Sequence, residues 1–219
     1  MKVSLDACVF GALCEIAGAH NILDIGSGTG LLSLMMAQRC ETHIDAVELD
    51  DVAAQQAREN IKNSPFSTQI KMHVTDIKQF DGHKKYDLVV CNPPFFSDHL
   101  KGPDEKRNQA RHNDGLSFNE LCESIVKHLN EKGKAWILLP CSELERFMKS
   151  ALQAKLKIDQ RWLLSSRPQK APHRVIITLS HTSTLVSPAP EKQLTVHPEH
   201  GPEYSDDFKS LLCDYYLKL

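Results

Sequence analysis

At 219 residues, 41% of them hydrophobic and 25% charged, the chain suffices for one sizeable core and has no apolar run near the roughly 18 residues a membrane span needs. A formal charge of −2 excludes a global pull on nucleic acid, so any polyanion has to be met by a local patch. Seven cysteines without a Cys-x-x-Cys pair indicate neither a disulfide framework nor a zinc site, and predict reduced thiols in a cytoplasmic protein.

Residues 1–19 read as a helical lead-in, and Asp6 and Glu15 within them argue against a signal peptide. From residue 20 strands and helices alternate. "HNILDIG" (20–26) predicts a strand and "LLSLMMAQR" (31–39) a helix; "HIDAVEL" (43–49) is a second strand, and "DVAAQQARENIK" (51–62) a helix capped by Asp50. "QIKMHVT" (69–75) alternates as a half-buried strand, and "YDLVVC" (86–91) is a fully buried one. Two helices, 117–130 and 142–153, open with capping-box spacing, Ser117/Glu120 and Ser142/Glu145, and flank the strand "KAWILLP" (134–140). Strands at 157–166 and 174–180 follow, and "SPAPEK" (187–192) reads as a surface loop.

This alternation predicts an α/β fold: a doubly wound, mostly parallel seven-stranded sheet. The last two strands lack an intervening helix, so one is expected to be antiparallel. We read 1–219 as one domain, with 20–140 as cofactor-binding and catalytic core and 141–219 completing the sheet. Ligands in such sheets bind beyond the carboxyl ends of the strands at the switch point.

The first such end is "LDIGSGTG". It places Gly26, Gly28 and Gly30 behind Asp24, with Leu31 where a dinucleotide fingerprint needs its third glycine. Glycines admit a ligand close to the backbone, and an acid there disfavours pyrophosphate but suits a cation. S-adenosylmethionine carries a sulfonium and an ammonium. Glu48, about twenty residues on, can accept from a ribose diol, with Leu49 beside it. Asp76 can accept from the adenine amine, and the Ile77 backbone can donate to the ring. Taken singly, a glycine turn is often only a turn and a strand-end acid only a cap. Three in succession make S-adenosylmethionine the expected cofactor.

The fourth strand runs into "NPPFF". Prolines end a ladder, and the plain alternative is a Pro-Pro stop with Phe95 and Phe96 packed on the core. The chemical reading is that Asn92 and the Pro93 carbonyl accept both hydrogens of an exocyclic amine, Pro94 stiffens the backbone and Phe95 stacks on a flipped base. Asn92 also borders the cofactor site. Cys91 reads as an inert buried thiol.

"DIGSGTG", "VELD", "TDI" and "NPPF", in that order, resemble the amino-methyltransferases of the S-adenosylmethionine-dependent Rossmann-like class. "MKVSLDACVFGAL", "ARHNDGLSFNELC" and the tail "YSDDFKSLLCDYYLKL" narrow the likeness to the bacterial tRNA(Val) adenine-37 N6-methyltransferases, across essentially the whole chain. The resemblance implies N6 methylation of an adenine beside the anticodon of a valine tRNA. It departs at Phe95, where that family usually has tyrosine and some guanine-N2 rRNA methyltransferases have phenylalanine. Members usually carry an aromatic-rich segment ahead of the stretch matching "MKV". A guanine-N2 enzyme, a release-factor glutamine-N5 methyltransferase and a non-catalytic cofactor-binding subunit stay open as alternatives.

The stretch 99–112 supplies Lys101, Lys106, Arg107, Arg111 and His112, which with Phe96 and Arg174 are candidate RNA contacts. Arg174 belongs to a second basic run with Lys155, Lys157, Arg161, Arg167 and Lys170. His112 and His173 have no partners at metal spacing, so no metal is expected; a monomer that engages tRNA and no membrane is the resulting picture.

Overall fold

A computed structural model of the chain describes residues 4–82, 84–93, 115–182 and 189–218. Their centre is one sheet of eight strands: β1 (Asn21–Ile25), β2 (His43–Glu48), β3 (Ile70–Val74), β4 (Tyr86–Cys91), β5 (Leu129–Pro140), β6 (Leu156–Ser165), β7 (Arg174–His181) and β8 (Glu191–Thr195). Their spatial order is β3-β2-β1-β4-β5-β7-β6-β8. The first five are parallel neighbours, whereas β7 runs antiparallel to both β5 and β6. The doubly wound α/β expectation holds, with one strand more than the seven anticipated. β8 forms where a surface loop was expected, and Glu191 and Lys192 pair with Arg161 and Trp162 of β6.

Side-chain alternation splits the sheet into two faces. Ile22, Val90, Trp136 and Ile176 pack beneath the helices α1 (Leu5–Leu13), α2 (Leu31–Ala37), α3 (Asp51–Lys62) and α6 (Asp206–Leu212). Leu23, Val89, Ile137 and Ile177 face α4 (Phe118–His128) and α5 (Leu144–Gln153). The result is a three-layer sandwich in which the central parallel strands, β1 and β4, are covered on both sides and almost wholly buried.

Helix starts follow local chemistry. Asp50 accepts from Ala53 N at 2.7 Å and caps α3 as expected. Ser117 and Glu120 form the full capping box of α4. The box expected from Ser142 and Glu145 does not form. The chain leaves Pro140 into a 3-10 turn, Cys141–Glu143, and α5 starts at Leu144 behind Glu143, with no side-chain cap. Ser142 is thereby drawn inside the turn rather than standing before the helix.

Candidate active site

The switch point lies at β1, which pairs with β2 on one side and β4 on the other. Beyond Ile25 the chain turns through Gly26, Gly28 and Gly30, all at positive φ (68°, 56° and 82°), which side chains rarely tolerate. Gly26 N and Ser27 N donate to Val47 O at 2.8 and 3.1 Å and tie the loop to β2. A Cβ placed on Gly26 would meet nothing within 4 Å, whereas one on Gly30 would meet Ala57 Cβ at 3.5 Å. Gly26 therefore faces open space and Gly30 serves the packing of α3.

Above this loop is a cleft of about 670 Å³, within the size range of ligand sites. Of the expected cofactor residues it gathers Gly26, Gly28, Glu48, Leu49, Asp76, Ile77 and Asn92, and with them Pro93. Glu48 ends β2 with its carboxylate held by three amides: Gly28 N at 2.8 Å, and Leu49 N and Asp50 N at 2.9 Å each. A carboxylate has about four lone-pair sites, so one remains for a ligand. Beside it Leu49 is 59% exposed although apolar, while Ile77 opposite is buried in the core. Asp76 sits two residues past β3 and accepts from Lys78 N at 2.9 Å.

Asn92 and Pro93 follow β4 directly. Among the described residues no hydrogen bond engages the Asn92 side chain, although it is partly buried. Cys91, just before it, is fully buried, and burial holds its thiol pKa well above the ordinary range. It stays protonated and cannot serve as a nucleophile.

Asp24 is placed differently from its expected position at the mouth. It is fully buried on β1 beneath α2 and does not line the cleft. Its Oδ2 accepts from Ser33 Oγ at 2.6 Å, so it substitutes for the side-chain cap that Gly30, at the N-cap of α2, cannot provide. Oδ1 has no partner. Burial drives the Asp24 pKa up to about 6, against the lowering pull of the Ser33 hydroxyl and amide.

Half of the second basic run, Lys157, Arg167 and Arg174, is committed within the fold. Arg167 donates to the carbonyls of Pro198 and Gly201, each at 2.7 Å, and Lys157 pairs with Asp159 at 3.5 Å. Arg174 does lie on the carboxyl edge, opposite Pro140 of β5, and with His173 it grips Asp6 of α1 at 3.2 Å. Pro94, Phe95, Phe96, Lys101, Lys106, Arg107, Arg111 and His112 lie outside the described residues. Sequence reasoning missed Ser4 and Ala7 of the N-terminal segment, Lys78, and the Gly115–Leu116 step, all of which line the cleft. Only Lys78 carried a signal, standing two residues after an acid already singled out. Among the described residues no helix is long and apolar enough to cross a membrane, and no group of three or more His, Cys, Asp or Glu could hold a metal ion.

Residues 12–157 match the family model of the methyltransferase small domain. The tRNA1(Val) (adenine(37)-N6)-methyltransferase of Bacteroides fragilis is 38% identical over 222 residues, covering 100% of this chain and 92% of the relative. That of Shewanella loihica is 39% identical over 228 residues, covering 100% and 93%. Among solved structures, a predicted O-methyltransferase from Agrobacterium tumefaciens superposes with a TM-score of 0.72 at 17% identity, over 94% of this chain and 95% of that one. The ribosomal protein L11 methylase of Lactobacillus delbrueckii gives 0.58 at 17% identity, over 80% and 77%. These two likenesses speak to the fold.

Proposed function

Given that the chain belongs to the methyltransferase small-domain family, together with the tRNA1(Val) (adenine(37)-N6)-methyltransferases, we propose that it methylates the exocyclic N6 of an adenine in tRNA. The target is position 37 beside the anticodon of a valine tRNA, and the methyl donor is S-adenosylmethionine. Bound in the cleft, the cofactor supplies an electrophilic methyl group on its sulfonium.

The residues present fit that group. Glu48 offers its remaining lone pair to the ribose, and a diol donating both hydrogens there takes a share of the oxygen now given to the Gly28 amide. Leu49 and Ile77 offer apolar surface on either side of a planar ring, and Asp76 accepts from the adenine amine. The unpartnered Oδ1 of Asp24 lies under the glycine loop as uncommitted negative charge, which favours a cation above it.

Asn92 and Pro93 provide the chemistry. An adenine amine is a poor nucleophile because its lone pair is delocalised into the ring. Accepting one hydrogen at Asn92 Oδ1 and the other at the Pro93 carbonyl draws the nitrogen toward tetrahedral geometry and frees that pair. Alignment then supplies much of the rate, and the surplus proton leaves afterwards, so no general base is needed before transfer. Phe95 stacks on the flipped base, and Phe96, Lys101, Lys106, Arg107, Arg111, His112 and Arg174 contact the RNA.

The observation that carries this reading is an amide at the end of β4 that no other described residue engages, on the same cleft wall that Glu48 and Asp76 approach from β2 and β3. A transfer assay with tritiated S-adenosylmethionine tests it, with unmodified tRNA, ribosomal subunits and release factors offered in parallel and the labelled product digested. N6-methyladenosine in tRNA is expected. N2-methylguanosine in rRNA or methylglutamine in protein would overturn the substrate assignment while leaving the cofactor site intact.

A further inference from the structure

Side chains from elsewhere in the fold anchor helix α1 at both ends. At its carboxyl end Arg39, just past α2, donates to the carbonyls of Gly11 at 2.8 Å and Cys14 at 2.7 Å. At its amino end Asp6 is shared between two cations: His173 Nε2 lies 3.2 Å from its Oδ1, and Arg174 Nε 3.2 Å from its Oδ2. Those partners stand on a fixed frame. His173 N donates to Leu164 O at 3.0 Å and the His173 carbonyl accepts from Cys141 N at 3.3 Å, while Arg174 opens β7 opposite Pro140 of β5.

The body of α1 is held by burial, since Ala7, Cys8, Val9 and Phe10 all lie in the core. Its first turn has less to hold it. Ser4 is exposed, and Leu5 and Asp6 are half-buried. Among the described residues no other hydrogen bond or ion pair ties residues 4–6 to another element. Yet this turn is a wall of the cleft, where Ser4 and Ala7 stand with the glycine loop and Asn92. Ser4 Oγ accepts from Ala7 N at 3.2 Å, so the two lining residues are held to each other with Asp6 between them in sequence. The Asp6 side chain is 20% exposed and its partners are 42% and 31% exposed, and pairs of this kind contribute little to overall stability. What the grip does decide is where the first turn sits.

Resting on the cofactor reading above, we propose that Asp6 is a positioning residue for S-adenosylmethionine, gripped by His173 and Arg174 so that the first turn of α1 stays seated as a wall of the cleft. Without that grip the turn spends part of its time away and the cofactor meets an incomplete wall. Apparent affinity then falls in proportion to the fraction of molecules whose wall is in place. Asn92 follows β4, away from this contact, so the loss falls on cofactor binding and not on the rate of transfer.

The test measures S-adenosylhomocysteine binding by calorimetry with no RNA present, so that any contact of Arg174 with tRNA does not enter. Asp6→Ala is expected to weaken binding by ~5-fold, corresponding to a wall in place about one fifth of the time. Its kcat at saturating S-adenosylmethionine is expected to stay within about twofold of native. Amide hydrogen exchange is expected to quicken at Ala7 and Cys8, both bonded to the Ser4 carbonyl, and to stay unchanged in β1. A chain carrying both His173→Leu and Arg174→Met is expected to be weakened by a similar ~5-fold. Adding Asp6→Ala to it should cost less than about twofold more, because residues that act through one contact are not additive. A purely structural role would lower the melting temperature and leave affinity where it was. Unchanged affinity in Asp6→Ala, an equal loss in kcat, or fully additive losses in the combined chain overturns the inference. Failure of the native protein to bind S-adenosylhomocysteine at all overturns the cofactor reading beneath it.

Discussion

The two ends of the sheet both carry a hollow, and the larger is not the one with the chemistry. Opposite the carboxyl edge lies a groove of about 950 Å³ against about 670 Å³ for the cleft. Its two aspartates are committed. Asp87 accepts from His20 N, Asn21 N and Asn130 Nδ2, and Asp159 is taken up by Lys134, Lys157 and Ser180. Among the described residues the cleft instead leaves Asn92 without a hydrogen-bond partner, one oxygen of Asp24 unpaired beneath its floor, and Leu49 largely exposed. Polar atoms left uncommitted at a cost to folding, set among apolar walls, mark a site better than volume does.

The largest test of that contrast removes the uncommitted amide. Asn92→Ala is expected to cut kcat by ~10²–10³-fold, the loss typical of one positioned electrostatic contact, while the cofactor dissociation constant moves little. Calorimetric titration beside single-turnover kinetics separates the two. Equal losses in both would make Asn92 part of the architecture of the cleft rather than of its chemistry.

Next comes the buried acid. The folded chain holds the Asp24 proton to a pH of about 6, whereas an unfolded aspartate releases it near 4. Between those values the native state binds more protons than the unfolded one, so stability falls as pH rises, by up to about 3 kcal/mol. Asp24→Asn removes this slope and is expected to flatten urea-denaturation stability between about pH 4 and pH 7. The same change withdraws negative charge from beneath the cleft and is expected to weaken S-adenosylmethionine by ~5-fold, a trade of function for stability. A slope that persists in the variant would place its source elsewhere. Smaller again is Glu48→Gln, which swaps one acceptor oxygen for a donor facing amides. Charge-assisted hydrogen bonds contribute about 1.5–3 kcal/mol, so cofactor affinity should fall by ~10-fold, with kcat at saturation nearly unchanged.

What the sequence disclosed was what local chemistry decides. The glycine turn, the strand-end Glu48, the Asp50 cap and the Ser117/Glu120 box each depend on residues within a few positions, and each is found where expected. The Ser142/Glu145 pattern has the same spacing, but Pro140 ends its strand and hands the chain to a 3-10 turn, so the serine never reaches an N-cap. β8 was illegible because it exists only through its pairing with β6, about thirty positions away along the chain, and the prolines near its start read as loop. Asp24 was legible as an important acid but not as a buried one, since its depth is fixed by α2 folding back so that Ser33 meets it. The Asp6–His173 contact spans 167 residues, and no period or motif encodes it.

The weakest effect is expected at the opposite groove, and it completes the contrast. Asp159→Asn breaks a cluster in which burial opposes ionisation but the Lys134 and Ser180 hydrogen bonds and the Lys157 charge outweigh it, holding the pKa below the ordinary aspartate value. A depressed acid contributes stability above the unfolded pKa near 4 and loses it as pH falls through the lower folded value. The variant should therefore be less stable than the native protein at neutral pH, by about 1 kcal/mol after allowance for solvent screening, and the two should converge below about pH 4. Catalysis is the other half of the measurement: kcat and both Michaelis constants should stay within about twofold, because the charge of Asp159 is spent on holding strands together. A raised Michaelis constant for tRNA with stability unchanged would mean that this end of the sheet also touches the substrate.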